Sequence, residues 1–256
     1  MINPIPGGVS SMKTTGPKVF CGRRFHNKIK EYLIEKFMKG KIVLDIGSGA
    51  GGDIQKYIKH NVKGVRGVDI VNVEYDYPKH MKFYKVNQNY NLENVLRNDS
   101  LKFFDVINCQ FAIHYFFESQ KKLDRLIENV NNTLKKKGVF VITCMDGMKA
   151  INKMTKNKYK TNVVTMKLGK SNTNSLVGNE IEVKVEGTKY FKNKSSKEYL
   201  VNITKFVKHM ENNGFVLEMQ SNFGEFKNVN KNTYELMSQH EKDFSTLHTA
   251  LVFSKL

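Results

Sequence analysis

The stretch Leu44-Asp45-Ile46-Gly47-Ser48-Gly49-Ala50-Gly51-Gly52-Asp53 decides the fold of this chain. It continues the apolar run 42–44, and glycines directly after a strand let the backbone turn tightly and approach a ligand. The N-terminus of the following helix then favours polar or anionic groups. About twenty residues later Asp69 ends another apolar run, where a carboxylate can accept both hydroxyls of an adenosine ribose. Together these features predict an adenosine-containing cofactor on a doubly wound sheet.

The glycine spacing alone does not decide which cofactor is bound. It satisfies both the dinucleotide spacing and the tighter methyltransferase spacing, because Gly51 and Gly52 both follow Gly49. Two carboxylates favour S-adenosylmethionine. Asp45 stands before the turn, where it can help hold a zwitterionic methionine tail, and Asp53 in the first helical turn would repel a pyrophosphate but suits a cationic amine or sulfonium. A nicotinamide cofactor is the less favoured alternative.

Segments typical of helices alternate with segments typical of buried strands. Helices are predicted over 26–38, 53–57, 119–134, 201–210 and 233–240, and strands over 42–44, 64–69, 81–86, 103–109, 138–143, 215–219 and 251–253. The first five strands are unbroken apolar runs, which indicates a parallel sheet covered on both faces. The pattern predicts an α/β fold with a doubly wound, mostly parallel, seven-stranded Rossmann-like sheet.

Two regions depart from this alternation. Residues 1–24 contain several prolines and glycines and are predicted to form an irregular N-terminal arm, so that the domain occupies 25–256. Residues 155–197 are polar and rich in Lys and Asn, with short strand-like pieces at 163–168, 181–185 and 189–191. They predict a small antiparallel insertion after strand five, lying over the carboxyl edge of the sheet.

The chain is strongly basic. Its 256 residues hold 42 Lys and Arg against 24 Asp and Glu, a formal net charge of +18. Such an excess favours polyanions through counterion release and long-range steering. The alternative explanation is a Lys- and Asn-rich proteome whose protein surfaces are basic in general.

Cysteine usage and hydropathy bear on the compartment. Cys21, Cys109 and Cys144 have neither paired nor metal-ligand spacing, which predicts a reducing compartment and no structural metal. The longest apolar runs are strand-sized, and the first residues lack the layout of a signal peptide. An intracellular protein without a membrane partner is therefore expected.

A second informative segment is Cys109-Gln110-Phe111-Ala112-Ile113-His114-Tyr115-Phe116-Phe117-Glu118-Ser119. It is an aromatic-rich turn at the end of the fourth predicted strand, on the edge where open α/β sheets bind ligands. A lone His or Tyr beside an apolar strand is ordinarily a satisfied core residue. Here, however, the whole string resembles the mRNA cap guanine-N7 methyltransferase family, whose members carry Cys-Gln-Phe-x-x-His-Tyr-x-Phe-Glu-Ser at this point.

Three further stretches are similar to motifs of that family. Residues 25–34 look like its opening Asn-x-x-Lys helix, and 44–53 like its Leu-Asp-x-Gly-x-Gly-x-Gly-Gly-Asp turn. Residues 198–201 look like the short Glu-Tyr/Phe-Leu-Val motif that follows the insertion. The resemblance covers roughly residues 23–255 and is closest to compact viral members.

The resemblance implies methyl transfer from S-adenosylmethionine to N7 of the guanine in an RNA 5′ cap, with S-adenosylhomocysteine as the product. The expected cofactor residues are Lys30, Asp45, Gly47, Gly49, Asp53, Asp69, Asn87, Gln110 and Tyr115. The expected cap residues are Asn27, His114, Glu198 and His248. No side chain is expected to act as nucleophile, acid or base, and no metal is expected.

The chain departs from the family pattern at three positions. Ala50 stands where the family usually has a Lys, which removes one phosphate contact. Asn87 stands where family members have an Asp that accepts from the adenine amine. The amide oxygen of Asn87 can still accept, but the negative charge is lost. His248 aligns with a Tyr that stacks on the cap, and a surface histidine is the alternative interpretation.

Other functions stay open from the sequence alone. A methyltransferase acting on another RNA base or a small molecule would share the glycine turn, and so would an inactive, basic RNA-binding partner. The expected partner is the capped RNA 5′ end in the nucleus or cytoplasm, or in a viral factory or virion if the protein is viral. A capping enzyme or a stimulatory subunit, on which related viral domains can depend, is a further candidate.

Overall fold

The computed structural model describes residues 21–74, 76–86, 90–186 and 195–256. Its main layer is one sheet made of β1 (Ile42–Ile46), β2 (Gly64–Asp69), β3 (Met81–Lys85), β4 (Phe104–Gln110), β5 (Leu134–Met145), β10 (Phe215–Asn222) and β11 (His248–Lys255). The strand order is β10-β11-β5-β4-β1-β2-β3. Neighbours among β1 to β5 pair in parallel, and β11 is antiparallel to both β5 and β10. The predicted seven-stranded α/β fold is confirmed.

Helices cover both faces of this sheet. They are α1 (Cys21–Met38), α2 (Ile54–Lys59), α3 (Leu92–Val95), α4 (Gln120–Thr133), α5 (Gly147–Asn152), α6 (Ile203–Glu211), α7 (Lys231–Leu236) and α8 (Gln239–Ser245), with 3₁₀ helices at Ile113–Glu118 and Phe223–Asn230. One buried cluster joins the sheet to α3, α4 and α6, and another joins it to α1 and α2. None of the helices in these described ranges is long and apolar enough to cross a membrane.

The strand β1 illustrates why the sheet is covered on both sides. Its side chains alternate between the two faces, as in any strand. Leu44 and Ile46 are buried with α3 and α4, while Val43 is buried with α1 and α2. A strand that buries side chains on both faces is largely apolar, as the sequence predicted for 42–44, and Asp45 is the one polar side chain of β1.

The insertion forms a separate four-stranded antiparallel sheet of β6 (Lys158–Lys160), β7 (Val164–Leu168), β8 (Glu180–Val185) and β9 (Ser196–Tyr199), in that order. Its core includes Met166 and Ile181 together with Phe244 and Leu247 from the C-terminal part of the chain. The strand-like pieces at 163–168 and 181–185 are confirmed as β7 and β8. The third piece, 189–191, lies outside the described residues. The strands β6 and β9 were not predicted, and β9 extends the insertion beyond residue 197.

Two predicted boundaries were wrong for an identifiable reason. Residues 21–24 were assigned to the irregular arm but form the first turn of α1, where the Gly22 N–H donates to Glu241 Oε1 at 3.0 Å. The predicted helix 233–240 is instead two helices, because Ser238 caps α8 in a capping box with Glu241. Glu241 therefore stabilises the start of α8 and the start of a helix 219 residues away in sequence.

Candidate active site at the carboxyl edge

The glycine turn after β1 closely approaches the segment after β4. Gly47, Gly49 and Gly51 all have positive φ, which favours glycine. A Cβ on Gly47 would lie 2.2 Å from the Ala112 Cβ, so only glycine fits there without movement. A Cβ on Gly49 would meet nothing within 4 Å, which leaves room above that residue.

Asp69, at the end of β2, lies beside this turn. Its Oδ2 accepts from the Gly49 N–H at 2.7 Å, and its Oδ1 accepts from the Val71 N–H at 2.9 Å. Both bonds come from backbone donors and hold the carboxylate at the carboxyl edge of the sheet. The structure thus brings together the two features that predicted an adenosine cofactor.

Lys30 on α1 reaches across to the residue that precedes α2. Its Nζ lies 2.5 Å from Asp53 Oδ2, and Lys56 Nζ lies 2.6 Å from Asp53 Oδ1. Burial acts to raise the pKa of Asp53, but the two lysines outweigh it and hold that pKa below its usual 3.8. This cluster holds one carboxylate and two cations, so it retains a positive charge for a ligand carboxylate.

A buried polar network lies below the turn. The Asn108 Nδ2 donates to Asp45 Oδ1 at 3.1 Å and to the Tyr57 hydroxyl at 2.8 Å. Burial, with the negative charge of Asp53, raises the pKa of Asp45 to about 7. The sequence analysis did not find Asn108 or Tyr57, because their partners lie 51 and 63 residues apart in the chain.

This network fixes the orientation of Gln110. The Gln110 Nε2 donates to Asn108 Oδ1 at 3.0 Å, and its Oε1 is buried without a hydrogen-bond partner. A buried acceptor without a partner carries a desolvation cost, typically about 1–3 kcal/mol. Gln110 therefore offers an acceptor to a ligand donor such as a primary amine.

His114 and Glu198 come together from the two sheets. His114 lies on the 3₁₀ helix after β4, Glu198 lies on β9, and 3.8 Å separates His114 Nε2 from Glu198 Oε2. Burial raises the pKa of Glu198 to about 7 and lowers that of His114 to about 4, so the histidine is neutral at pH 7. The contact is too long for a hydrogen bond, and the buried His114 Nε2 has no partner. Two polar groups from different sheets therefore lie side by side with unused hydrogen-bonding capacity.

The Tyr115 ring lies next to the His114 ring. The ring centroids are 4.1 Å apart, and 49% of Tyr115 is exposed. Burial raises the pKa of Tyr115, and the charge of Glu198 adds to that shift. Tyr115 therefore provides an accessible aromatic ring beside His114 and Glu198.

Tyr90 is a further residue that the sequence analysis missed. Its hydroxyl is buried and has no hydrogen-bond partner. Burial raises its pKa, and the charges of Cys109 and Asp69 add to that shift, so both groups lie within electrostatic range. The Asn129 amide donates to the Tyr90 carbonyl at 3.2 Å and fixes the backbone there. No local pattern marked Tyr90, because its environment is set by distant strands.

Among the described residues, the predicted site residues Asn27 and His248 form their hydrogen bonds outside this cluster. The Asn27 amide donates to the Arg23 carbonyl at 3.1 Å within α1. His248 was predicted to stack on the cap, but only 6% of it is exposed. Its ring is enclosed by the rings of His26, Phe111, Phe223 and Phe244. The ring is therefore covered in this structure, but it lies within electrostatic range of His114, and the assignment of His248 to the cap stays a prediction. Asn87 lies outside the described residues.

Comparison with known families identifies the chain. The family model described as the mRNA (guanine-N(7))-methyltransferase domain matches residues 9–251. The chain belongs to this family. The resemblance drawn from the 109–119 string is thereby confirmed.

Curated members of the mRNA (guanine-N(7))-methyltransferase family share about a third of the aligned residues. The mRNA cap guanine-N(7) methyltransferase of Schizosaccharomyces pombe is 33% identical over 138 residues, which is 47% of this chain and 38% of that protein. The enzyme of the same name from Candida glabrata is 31% identical over 189 residues, 67% of this chain and 42% of that protein. A probable mRNA-capping enzyme of Acanthamoeba polyphaga mimivirus is 32% identical over 52% of this chain and 14% of that protein. The chain thus spans less than half the length of these relatives.

Solved structures share the fold. A putative S-adenosylmethionine-dependent methyltransferase from Listeria monocytogenes has a TM-score of 0.53 and 15% identity, and one from Mesorhizobium loti has 0.57 and 12%. Each match covers 90% of this chain and 98% of the other. At such identities the likeness establishes the Rossmann-like methyltransferase fold alone.

Proposed function

We propose that this protein transfers a methyl group from S-adenosylmethionine to N7 of the guanine in an RNA 5′ cap. One observation carries the proposal: His114 Nε2 and Glu198 Oε2 lie 3.8 Å apart without a hydrogen bond between them, at the edge that also holds the glycine turn. Family membership supports the same reaction.

The residues around the glycine turn fit S-adenosylmethionine. We assign the ribose hydroxyls to Asp69 and the close backbone approach to Gly47 and Gly49. When bound, the cofactor supplies an electrophilic methyl group on a positively charged sulfur. The positively charged sulfonium and amine suit this site for two reasons. Asp45 places an acid just before the turn, and Gln110 offers an acceptor without a partner.

The positive cluster formed by Lys30 in the middle of α1 with Asp53 and Lys56 at the start of α2 suits the methionine carboxylate. Lys30 is already paired with Asp53, but Lys56 shares that carboxylate, which leaves positive charge in excess. We therefore assign the cofactor carboxylate to Lys30. Asn27 lies one helical turn before Lys30, and we keep it as a proposed contact at the rim of the cap site.

Glu198 is assigned to guanine recognition. A carboxylate accepts hydrogen bonds from the guanine N1–H and exocyclic amine, a donor pair that adenine lacks. As N7 gains a methyl group the base becomes cationic, and a nearby carboxylate then attracts it more strongly than before. Neutral His114 can donate or accept, and Tyr115 provides the aromatic wall.

The reaction needs no general base from this chain. N7 of guanine is a lone pair with no proton to lose, and sulfonium is an activated donor. The side chains therefore hold N7 in line with the methyl carbon and exclude water, which lowers the barrier without covalent participation.

The direct test is methyl transfer from S-adenosylmethionine to GpppRNA, with the position of the new methyl mapped. We expect N7-methylguanine, and free GpppG should compete. A methyl group on an internal base, or no competition by GpppG, would favour a methyltransferase acting on another RNA base or a small molecule. No transfer at all, with RNA still bound, would indicate an inactive RNA-binding partner.

Glu198→Gln is the matched variant for this test, because it keeps the shape and removes the charge. We expect transfer to GpppRNA to fall by at least 100-fold, with S-adenosylhomocysteine affinity close to normal. Equal loss of both in calorimetry and activity assays would contradict the assignment of Glu198 to the cap. We further propose the capped RNA 5′ end as the partner, in the nucleus or cytoplasm.

A further inference from the structure

Glu198 lies on an outer strand of the small sheet in the insertion. Among the described residues, β9 pairs with β8 and has no strand on its other side. Two backbone hydrogen bonds fix the chain just after β9. The Leu200 N–H donates to the Asn179 carbonyl at 2.8 Å, and the Gly147 N–H donates to the Val201 carbonyl at 2.8 Å. The position of Glu198 therefore depends on these contacts as well as on strand pairing.

The residue before Asn179 contacts the 3₁₀ helix that carries His114. The Gly178 N–H donates to the Phe117 carbonyl at 2.8 Å. Phe117 follows His114 by one turn of that helix, and its side chain is fully buried. Gly178 has a φ of +80°, which favours glycine. Two consecutive residues thus join the segment of Glu198 to the segment of His114.

These two residues end a loop, residues 170–179, here called the brace. Only 4% of Asn179 is exposed. Its Oδ1 accepts from the Asn172 N–H at 2.7 Å, and its Nδ2 donates to the Ser175 carbonyl at 3.1 Å. On the outside, Lys205 Nζ on α6 donates to two carbonyls of the brace, each at 2.8 Å. One buried amide and one lysine therefore hold the brace in shape.

Organisation of a loop explains only part of this arrangement. Asparagine side chains commonly bind backbone groups in turns, and that role accounts for the bonds of Asn179 within the brace. It does not explain why His114 and Glu198 stay unpaired. Both side chains are largely buried, His114 Nε2 has no partner, and 3.8 Å separates it from Glu198 Oε2. A direct hydrogen bond would offset the desolvation of both groups, so the surrounding structure keeps them apart.

We propose that Asn179 is a positioning residue for the cap, because through the brace it holds Glu198 away from His114 and leaves both side chains available to the guanine. This inference rests on the proposed function, since it takes guanine to be their ligand. In the intact brace, the bonds at Gly178 and Asn179 fix β9 relative to the 3₁₀ helix. In a loosened brace, β9 approaches the helix, and Glu198 accepts from the neutral His114 instead of from the guanine.

The main test compares Asn179→Ala with Asn129→Ala. Asn129 on α4 is a matched control, because it is also buried and also binds two backbone groups. Its Oδ1 accepts from the Leu92 N–H at 3.0 Å, and its Nδ2 donates to the Tyr90 carbonyl at 3.2 Å. Calorimetry measures binding of GpppG and of S-adenosylhomocysteine, and methyl transfer to GpppRNA gives KM and kcat. Thermal melts compare the loss of stability in the two variants.

Asn179→Ala should weaken GpppG binding about 10-fold, with S-adenosylhomocysteine affinity changed by less than about 2-fold. KM for GpppRNA should rise by the same factor, and kcat should stay within about 2-fold, because saturating substrate draws Glu198 back to the guanine. Asn129→Ala should lower the melting temperature by a similar amount but leave GpppG affinity within about 2-fold of wild type. A merely structural role of Asn179 would not produce this difference.

A double variant tests whether Asn179 acts through Glu198. In a Glu198→Gln background, Asn179→Ala should weaken GpppG binding by less than about 2-fold, because the carboxylate that the brace positions has already been removed. Competition against a fluorescent cap dinucleotide measures these weaker affinities.

A milder variant loosens the brace without changing its buried amide. Lys205→Met removes the two bonds from α6 and should weaken GpppG binding about 3-fold. Lys208→Met on the same helix makes the same change in charge at an exposed position and should leave GpppG affinity unchanged. This pair decides the question if Asn179→Ala does not fold, and equal effects of the two variants would then contradict the proposal.

Three further outcomes overturn the proposal. Unchanged GpppG affinity in Asn179→Ala would show that the brace does not position Glu198. Parallel loss of GpppG and S-adenosylhomocysteine binding would indicate general damage to the fold. An undiminished effect in the Glu198→Gln background would mean that Asn179 acts on another part of the site. Failure of the proposed function is distinguishable from all of these, because wild-type protein would then neither bind GpppG nor methylate GpppRNA.

Discussion

Glu198 and His114 are both titratable, and burial disfavours the charged form of each. Burial raises the pKa of Glu198 to about 7 and lowers that of His114 to about 4. Across neutral pH only Glu198 of this pair changes its charge. The protonation of one carboxylate should therefore control how well the site accepts the guanine donors.

We expect GpppG affinity to rise with pH through 7. For one proton with a pKa near 7, ionised Glu198 increases about 25-fold between pH 5.5 and 7.5, and affinity should follow it. Glu198→Gln should bind weakly and with no such pH dependence. Isothermal titration calorimetry at five pH values measures both, and a flat wild-type profile would contradict the role of the ionised carboxylate.

Glu198→Gln should weaken GpppG binding but raise the folding stability at high pH. The pKa of Glu198 is raised from its usual 4.5, so the folded chain binds more protons than the unfolded chain between those two values. Stability from this group is therefore present below pH 4.5 and is lost as pH rises through 7. At pH 8, Glu198→Gln should melt at a higher temperature than wild type, and a lower melting temperature would mean that the charge is compensated.

Tyr90 gives a second residue-scale prediction. Its hydroxyl is buried without a partner, so Tyr90→Phe should leave the free protein equally or more stable. If the hydroxyl contacts the cofactor, the affinity for S-adenosylhomocysteine should fall about 10-fold, which is the loss expected when one hydrogen bond is removed. Thermal melts and calorimetry measure the two effects. Tyr159→Phe in the insertion is the matched control, and equal affinity in both variants would remove Tyr90 from the site.

The glycine turn is the element that joins the sheet to the ligand edge. Gly47 and Gly49 both have positive φ, but only Gly47 touches a neighbour, Ala112. Gly49→Ala should therefore cost about 1–2 kcal/mol of backbone strain. Gly47→Ala should cost about 1–3 kcal/mol more, because the new methyl group overpacks the turn. Urea denaturation measures both, and equal losses would show that the turn is not packed against Ala112.

Among the residues proposed for the site, local order in the sequence marked only some. Asp69 was found because it ends a strand about twenty residues after a glycine turn, a relation that lies within one βαβ unit. Glu198 was found only through a family motif, since β9 itself was not predicted. The Asn108 network and Tyr90 were not found, because packing of distant strands creates their environments.

Long-range capping and packing explain the other misses. Glu241 stabilises the start of α1 from the far end of the chain, so no local signal marked Cys21 as helical. His248 aligned with a cap-stacking position, but the aromatic rings that enclose it come from four other segments. The alignment placed His248 in the last strand but could not show whether its ring is exposed.

At the scale of the molecule, the two proposed ligands are held by different layers. Asp69, which we propose for the cofactor, belongs to the large sheet, and Glu198, which we propose for the cap, belongs to the small one. Asp69→Asn should abolish most of the melting shift caused by S-adenosylhomocysteine, which for wild type at 100 times Kd is worth about 2.7 kcal/mol. GpppG binding should persist in that variant. Loss of both ligands together would indicate one interdependent site.

The position of β11 has a consequence for biosynthesis. This strand is the last one along the described chain, yet it lies inside the sheet, between β5 and β10. Of these two strands, β10 is therefore synthesised first, before β11, its neighbour in the described sheet. Phe244 and Leu247, which support the insertion, are also translated late. Nascent chains should therefore pass through a stage in which β10 is unpaired and the insertion lacks the packing of Phe244 and Leu247. Chaperones can bind such exposed surfaces at that stage.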